Sequence, residues 1–230
     1  MRKITPAQTE MLYAFTRKHF VEYYDLQTEL VDHLANAIEA KWEQQPDIDF
    51  ETALQQEFKK FGIFGFMDVV EKRQAALTKK YYKLIWSYFK HFITIPKIMF
   101  TLAIVAITYK LLLFQPLLYV VLLFIILIGS GIKFFQLHRK YRAKRKATGK
   151  KWLFEENIFR CGGSGIYLYL VLQFLRLDLT DTNSKIWYLI ASAILVLLLL
   201  YDYIVLFVIP AKAEEHLKAT YPEYNLEFIK

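Results

Sequence analysis

Two kinds of hydrophobic spacing divide the chain. Up to about residue 90, apolar positions recur every three or four residues with charged positions between them; beyond it, four stretches at 92–109, 116–135, 158–177 and 186–209 are apolar on every side. The first pattern is that of amphipathic helices burying one face. Each stretch of the second kind is at or near the ~20 residues that cross a ~30 Å hydrocarbon core at ~1.5 Å rise per residue. The first of them can slide to 98–114, because Pro96 and Lys97 lie near its start and Lys110 can snorkel to the interface. No period-two alternation of useful length occurs, so the chain reads as all-α. The expected organisation is an amino-terminal helical bundle over 1–90, four transmembrane helices over 91–210 and a tail over 211–230 made of a short helix and an irregular end.

Within the amino-terminal part, Thr5 followed by Pro6 predicts an N-cap and first helical residue, opening a helix to about Lys18. A second helix, about 22–45, places Tyr23, Leu26, Leu30, Leu34 and Ala37 on one stripe and Glu22, Asp25, Glu29, Asp32, Asn36 and Glu39 opposite, so five carboxylates share a face. A third runs from an Asp49 cap to Phe61, with Gly62 as a left-handed stop. A fourth begins near Phe66 and keeps helical spacing to Phe92, which predicts that it runs into or abuts the first span.

Charge is segregated along the chain: residues 1–71 hold 7 Lys/Arg against 13 Asp/Glu, and residues 72–230 hold 23 against 9. The stretch 138–151 alone carries eight cations, Arg139, Lys140, Arg142, Lys144, Arg145, Lys146, Lys150 and Lys151, and no acid. A basic connection between spans stays on the cytoplasmic side, and an even number of crossings then puts both termini there. The amino terminus lacks the apolar core of a cleavable signal peptide, so the expected location is the plasma (bacterial inner) membrane, multi-pass. Trp86, Tyr88, Trp152, Trp187 and Tyr188 fall at span ends, where amphipathic rings favour the headgroup layer. The single Cys161 excludes an internal disulfide, and the abundance of aliphatic and aromatic residues excludes a disordered chain.

Asp202, inside LLLLYDYIVLFVIP, is the foremost candidate for chemistry. An acid at the bilayer centre costs ~2.5–3.5 kcal/mol on insertion scales, which an apolar span can carry provided the acid faces protein or water. Lys133 or Arg160, near the ends of neighbouring spans, is its expected partner in a polar cluster flanked by Tyr201 and Tyr203. Such a cluster serves either as a helix-locking pair or as a site for an ion, proton or anionic headgroup. Two groups of small residues, Gly129, Ser130, Gly131 and Gly162, Gly163, Ser164, Gly165, are expected to meet and let the second and third spans approach closely. Glu29 and His33 share a helix face, but a closed metal site needs three or four ligands, so no metal and no cofactor is expected. The face made by Glu22, Asp25, Glu29, Asp32, His33 and Glu39 is either a solvated surface or a docking face for the basic residues of 72–90 and 138–151 or a basic partner. The 138–151 cations suit anionic lipid headgroups rather than nucleic acid. HExxH, Walker A and GxSxG sequences are absent.

The order YYDLQTELVDHLANAIEAKWEQ, FETALQQEFKKFG, FMDVVEKRQ resembles the small helical domain known as HAAS or permease prefix, found ahead of transmembrane helices in bacterial membrane proteins. The matching positions are Tyr24, Asp25, Glu29, Asp32 and His33, then Glu51, Ala53, Leu54 and Gly62. Gly62-Ile63-Phe64-Gly65 replaces the family's usual Gly-Ser/Asp-Pro turn. The whole chain is also similar to four-span proteins of bacterial inner membranes. The resemblance implies a signalling or regulatory role beside a membrane module and brings no catalytic residues. The leading expectation is therefore a non-enzymatic regulatory, signalling or scaffold protein with a membrane-protein partner or a second copy of itself. A transporter or channel subunit built around Asp202, and then a membrane-embedded lipid-modifying enzyme, are the other readings.

Overall fold

The computed structural model describes residues 2–115, 117–160, 185–221 and 224. It is 82% helical, with no strand among the described residues. The chain divides into two compact units, one of Met1–Lys79 with Arg145–Phe154, the other of Lys80–Lys144 with Glu155–Lys230.

In the first unit, α1 (Pro6–Lys18) opens with a full capping box: the Thr5 hydroxyl accepts from the Gln8 N–H and the Gln8 side chain accepts from the Thr5 N–H at 2.9 Å. α2 (Tyr24–Gln44) and α3 (Phe50–Lys59) follow, the latter capped by Asp49 accepting from the Thr52 N–H at 2.8 Å. The core is the stripe Leu26, Leu30, Leu34, Ile38 and Trp42 of α2, closed by Leu12 of α1, Ala53 and Leu54 of α3 and Phe66 before α4. The expected stripe thus shifts: Tyr23 stands ahead of the helix as its N-cap, and the buried face drifts from Ala37 to Ile38 and Trp42. α3 stops at Lys59, short of the expected Phe61, and the chain reverses through Gly62 and Gly65 at φ +79° and +55°. A Cβ at Gly65 would come within 2.9 Å of the Phe58 ring, so both the left-handed backbone and the close approach require glycine there.

α4 covers Met67–Lys90. It does not continue into the first span. Pro96 cannot donate a backbone hydrogen bond and disfavours the helical region at Ile95, so the chain turns through 91–96 before α5 (Lys97–Phe114) begins. The first apolar helix therefore takes the slid position.

α6 (Leu117–Thr148) corrects a second expectation, because the basic stretch 138–151 is not a loop up to Thr148 but the last three turns of a 32-residue helix. Gly149, at φ +67°, ends it. The sequence around 153–160, read as the approach to a span beginning at 158, forms a short buried helix, α7 (Leu153–Arg160). The remainder of the expected third span lies outside the described residues, as do Cys161 and Gly162, Gly163, Ser164 and Gly165.

α8 (Lys185–Tyr203) continues through a π-helical turn, Ile204–Val208, and ends as Ile209–Ala211, followed by α9 (Ala213–Lys218). At one end of the spans Leu112 of α5, Tyr119 and Leu123 of α6 and Ala191 and Leu195 of α8 form a packed cluster, and the Tyr119 hydroxyl donates to the Ala191 carbonyl at 3.1 Å. Lys97–Phe114, Leu117–Thr148 and Lys185–Ala211 have mean hydropathies of 1.9, 2.5 and 2.6, and only 6%, 11% and 44% of their most apolar stretches is buried. Water would penalise that exposed apolar area heavily, whereas a bilayer would not.

Candidate functional site

The intramembrane acid and the amino-terminal turns are the two places where side-chain chemistry departs from simple packing. Asp202 is buried on α8, and its carboxylate accepts a hydrogen bond from the Ser130 hydroxyl of α6. Ser130 was expected among the small packing residues; here it supplies polar chemistry. A Cβ at Gly129 or Gly131 on either side would meet no described atom within 4 Å, and the glycines expected to pack against them lie outside the described residues. Lys133 takes a different neighbour from the one expected: its ammonium sits over the Phe207 ring at 4.8 Å. Tyr203 turns away from the acid, its ring meeting Phe92 edge-on at 6.0 Å and stacking near Phe207 at 6.1 Å. Tyr201 is half-buried one residue before Asp202, and Arg160 ends α7.

Directly after this acid the helix widens. The Ile209 N–H bonds to the Ile204 carbonyl, five residues back rather than four. Pro210 explains the change, since its ring crowds the carbonyl four residues earlier and it brings no donor of its own. Single π turns recur at functional positions in α-helices. The sequence signal was present in the pairing of Asp202 with Pro210, but the register shift follows only from the backbone.

In the first unit, the turns before α2 and after α3 converge on one ring. His19 lies 4.3 Å from Phe58, and Gly65 abuts the same ring. Phe15, Phe61 and Phe66 complete a cluster around Phe58, with centroid distances of 5.1, 6.4 and 4.9 Å. Outside it Phe20, Ile63 and Phe64 are 79%, 100% and 69% exposed, and Met67 is exposed beside them. Phe20 also adopts φ +65°, a strained conformation for a bulky residue. Four of the seven cations of residues 1–71, Arg17, Lys18, Lys59 and Lys60, are exposed around this apolar tip. In the sequence, the apolar pair Ile63-Phe64 between Gly62 and Gly65 was the signal for this tip.

The residues of the expected acidic face divide among several neighbours, and two of them, Glu22 and Glu29, meet Lys151 and Arg73 of the basic stretches named as docking partners. Asp25 is buried and accepts from the Leu153 N–H at 3.3 Å, because α2 starts at Tyr24 and its first turn meets the chain after Gly149. Glu22 precedes the helix and bonds the Lys151 ammonium at 2.7 Å, which holds its carboxyl below the usual glutamate value. Glu39 is likewise lowered by Lys3 at 2.7 Å and the Ile4 N–H at 2.9 Å. Glu29 faces Arg73 at 3.7 Å, His33 lies near the Phe61 ring at 5.9 Å, and Asp32 is exposed. No group of three metal-ligating side chains occurs among the described residues.

Three of the eight basic residues also have protein neighbours. Lys150 lies over the Tyr24 ring at 4.0 Å and Lys151 over Tyr23 at 4.4 Å. Lys144 bonds Glu155 of α7 at 2.6 Å and the Tyr224 hydroxyl, at the edge of a cavity of about 260 Å³ between α6, α7 and the tail. Arg139, Lys140, Arg142, Arg145 and Lys146 remain exposed. Trp152 is buried and meets Tyr24 edge-on at 5.3 Å, which removes it from any headgroup belt. Glu155 and Glu156, both buried, were missed in the sequence reading; the Tyr141 hydroxyl lies 3.5 Å from Glu156.

Three helices long and apolar enough to cross a bilayer, in an otherwise helical chain, define a multi-pass α-helical membrane protein. Compared with known proteins, the chain matches no family, no curated protein and no solved structure.

Proposed function

We propose that this protein is a non-catalytic regulatory or scaffold component of a bacterial inner membrane. In this reading it crosses the bilayer four times, keeps both termini in the cytoplasm, and recruits a partner protein through the amino-terminal module. The exposed tip of Phe20, Ile63 and Phe64 carries the proposal, because so much apolar surface on a well-packed small unit is costly in water and marks an interaction site. The cations Arg17, Lys18 and Lys59 near it favour an apolar groove with an acidic rim, while Lys60 is paired with Glu57 at 2.6 Å. The resemblance to HAAS domains points the same way. A photo-crosslinker at position 64 in native membranes should give one discrete protein adduct, lost in Phe20→Asp and not reproduced at Glu43 on exposed α2. Labelling of lipid alone, or equal labelling from both positions, contradicts the proposal.

A second reading, a transporter or channel subunit, draws on the buried Asp202–Ser130 pair followed by a π turn. Purified protein in liposomes that moves protons or cations, and stops doing so as Asp202→Asn, would favour it.

A further inference from the structure

The carboxyl-terminal half of α4 has two unlike sides. On one, Tyr81 and Ile85 are buried and Tyr88 is hydrogen-bonded to His216 of α9 at 3.1 Å, which fixes the rotation of the helix. On the other, Tyr82, Lys83, Trp86 and Lys90 share one arc of about 100° at ~100° per residue. All four are exposed, Trp86 at 55%. The Lys90 ammonium lies over the Trp86 ring, 5.8 Å from its centre, and that ring stacks with Phe89 at 5.7 Å. Past Lys90, the turn into α5 exposes Ile93 and Ile95, the latter at 84%.

Charge selects what covers this side. Residues 72–154 hold 17 Lys/Arg and no Asp/Glu. A second copy laid on it in a two-fold contact would set lysine against lysine, and the apolar segment 161–177 carries Arg176 and no acid. Against either, two ammonium groups would lose water without gaining a counter-charge. A bilayer surface supplies what both lack: phosphates for the lysines, and a headgroup layer that suits the amphipathic rings of Tyr82 and Trp86. The chain brings that surface close, because α5, an apolar helix of bilayer length, starts seven residues after Lys90. Trp86 stands four residues before the end of α4, about 6 Å by helical rise, within the ~5–8 Å depth of one headgroup layer. α9, on the other side of α4, exposes Glu214 and Glu215, which an anionic surface repels.

We propose that the side of α4 formed by Tyr82, Lys83, Trp86 and Lys90 lies against anionic phospholipid headgroups and anchors this helix at the bilayer surface. The anchor rests on the reading of α5 as a membrane span and is independent of the partner-docking tip.

The test places a benzophenone amino acid at Tyr82, Ile107 or Glu215 of the full chain in nanodiscs of equal parts phosphatidylglycerol and phosphatidylcholine, and identifies the adducts by mass. Ile107, exposed in the middle of α5, should label both lipids without preference, which reports the membrane reading by itself. Position 82 should label phosphatidylglycerol about fivefold more than phosphatidylcholine, the ratio that ~1 kcal/mol per basic residue gives, and position 215 should give few lipid adducts. Lys83→Gln combined with Lys90→Gln, both at exposed positions, should bring the ratio at 82 close to that at 107. With lipid labelled at 107, the anchor is overturned by adducts from 82 within the chain or to a second copy, by equal labelling of the two lipids at 82, or by an excess that survives the double substitution. Absence of lipid adducts at 107 and 82 alike would overturn the membrane reading and the anchor together.

Discussion

Leu34 and Ile128 are both large aliphatic residues on helices, yet one is fully buried in the amino-terminal unit and the other is 59% exposed on α6. The difference separates two ways of stabilising a helix. In the first unit, α2 and α3 carry charged residues on their outer faces and bury a narrow apolar stripe against α1, so water drives their association. Along α5 and α6 most apolar residues are exposed and only a few, such as Leu112 and Leu123, are buried, so association depends on packing, a few hydrogen bonds and the bilayer itself.

Core truncation gives the largest contrast. Leu34→Ala should destabilise the first unit by ~2–5 kcal/mol, whereas Ile128→Ala should cost less than ~0.5 kcal/mol, as at a surface site. Hydrogen exchange of module and span amides in the full chain reads both, and equal losses would erase the distinction. Next come the two left-handed glycines. Gly65→Ala combines backbone strain with a 2.9 Å clash on Phe58 and should cost ~2–3 kcal/mol. Gly62→Ala meets open space and should cost only the ~1 kcal/mol of backbone strain. Reversal of that order in thermal unfolding would show that the Phe58 cluster is not the constraint.

The polar pair in the spans should be worth less. Ser130→Ala should cost ~0.6–1.7 kcal/mol, the range for a hydrogen bond between membrane helices. An unfolding curve in detergent unchanged by it would make the Asp202–Ser130 contact incidental.

The smallest effect is pH-dependent and lies in the tail. His216 of α9 is hydrogen-bonded to the Tyr88 hydroxyl of α4 at 3.1 Å, and Lys80 donates to Thr220 at 3.0 Å. Burial lowers the His216 value from the usual 6.5; Glu215 opposes the shift, and Lys212 and Lys80 reinforce it. A depressed histidine is held neutral by the fold, so its contribution is complete above the unfolded value of 6.5 and is lost as pH falls through the folded value. Exchange of tail amides, corrected for intrinsic rates, should quicken between pH 7 and 5 by less than tenfold. His216→Gln should flatten that dependence; a wild-type tail insensitive to pH would show that the His216–Tyr88 contact does not hold the tail.

Much of the architecture was legible because it follows from local rules. Thr5-Pro6 and Asp49 start helices where capping chemistry dictates, and spans longer than a bilayer need no partner to be recognised. What was hidden depends on which neighbour arrives. Asp25 reads as a wet acid by periodicity, and only the return of the chain at Leu153 buries it. The cations of 138–148 look like loop composition, yet lysine and arginine are good helix formers and let α6 continue to Thr148. Ser130 was grouped with small residues by size, while its hydroxyl is what Asp202 uses. Lys133 and Arg160 were offered as alternative partners of Asp202 by charge alone; the Lys133 ammonium sits over the aromatic face of Phe207, and the Arg160 side chain lies outside the described residues.

The account rests most heavily on which residues share the aqueous side opposite the α5–α6 turn. In a Cys161→Ser background, single cysteines at Lys3, Gln115 and Arg145 can be probed in intact cells with a membrane-impermeant maleimide. Labelling of position 115 alone, with 3 and 145 reacting only after lysis, is the predicted result; labelling of 145 from outside while 3 stays protected would contradict it.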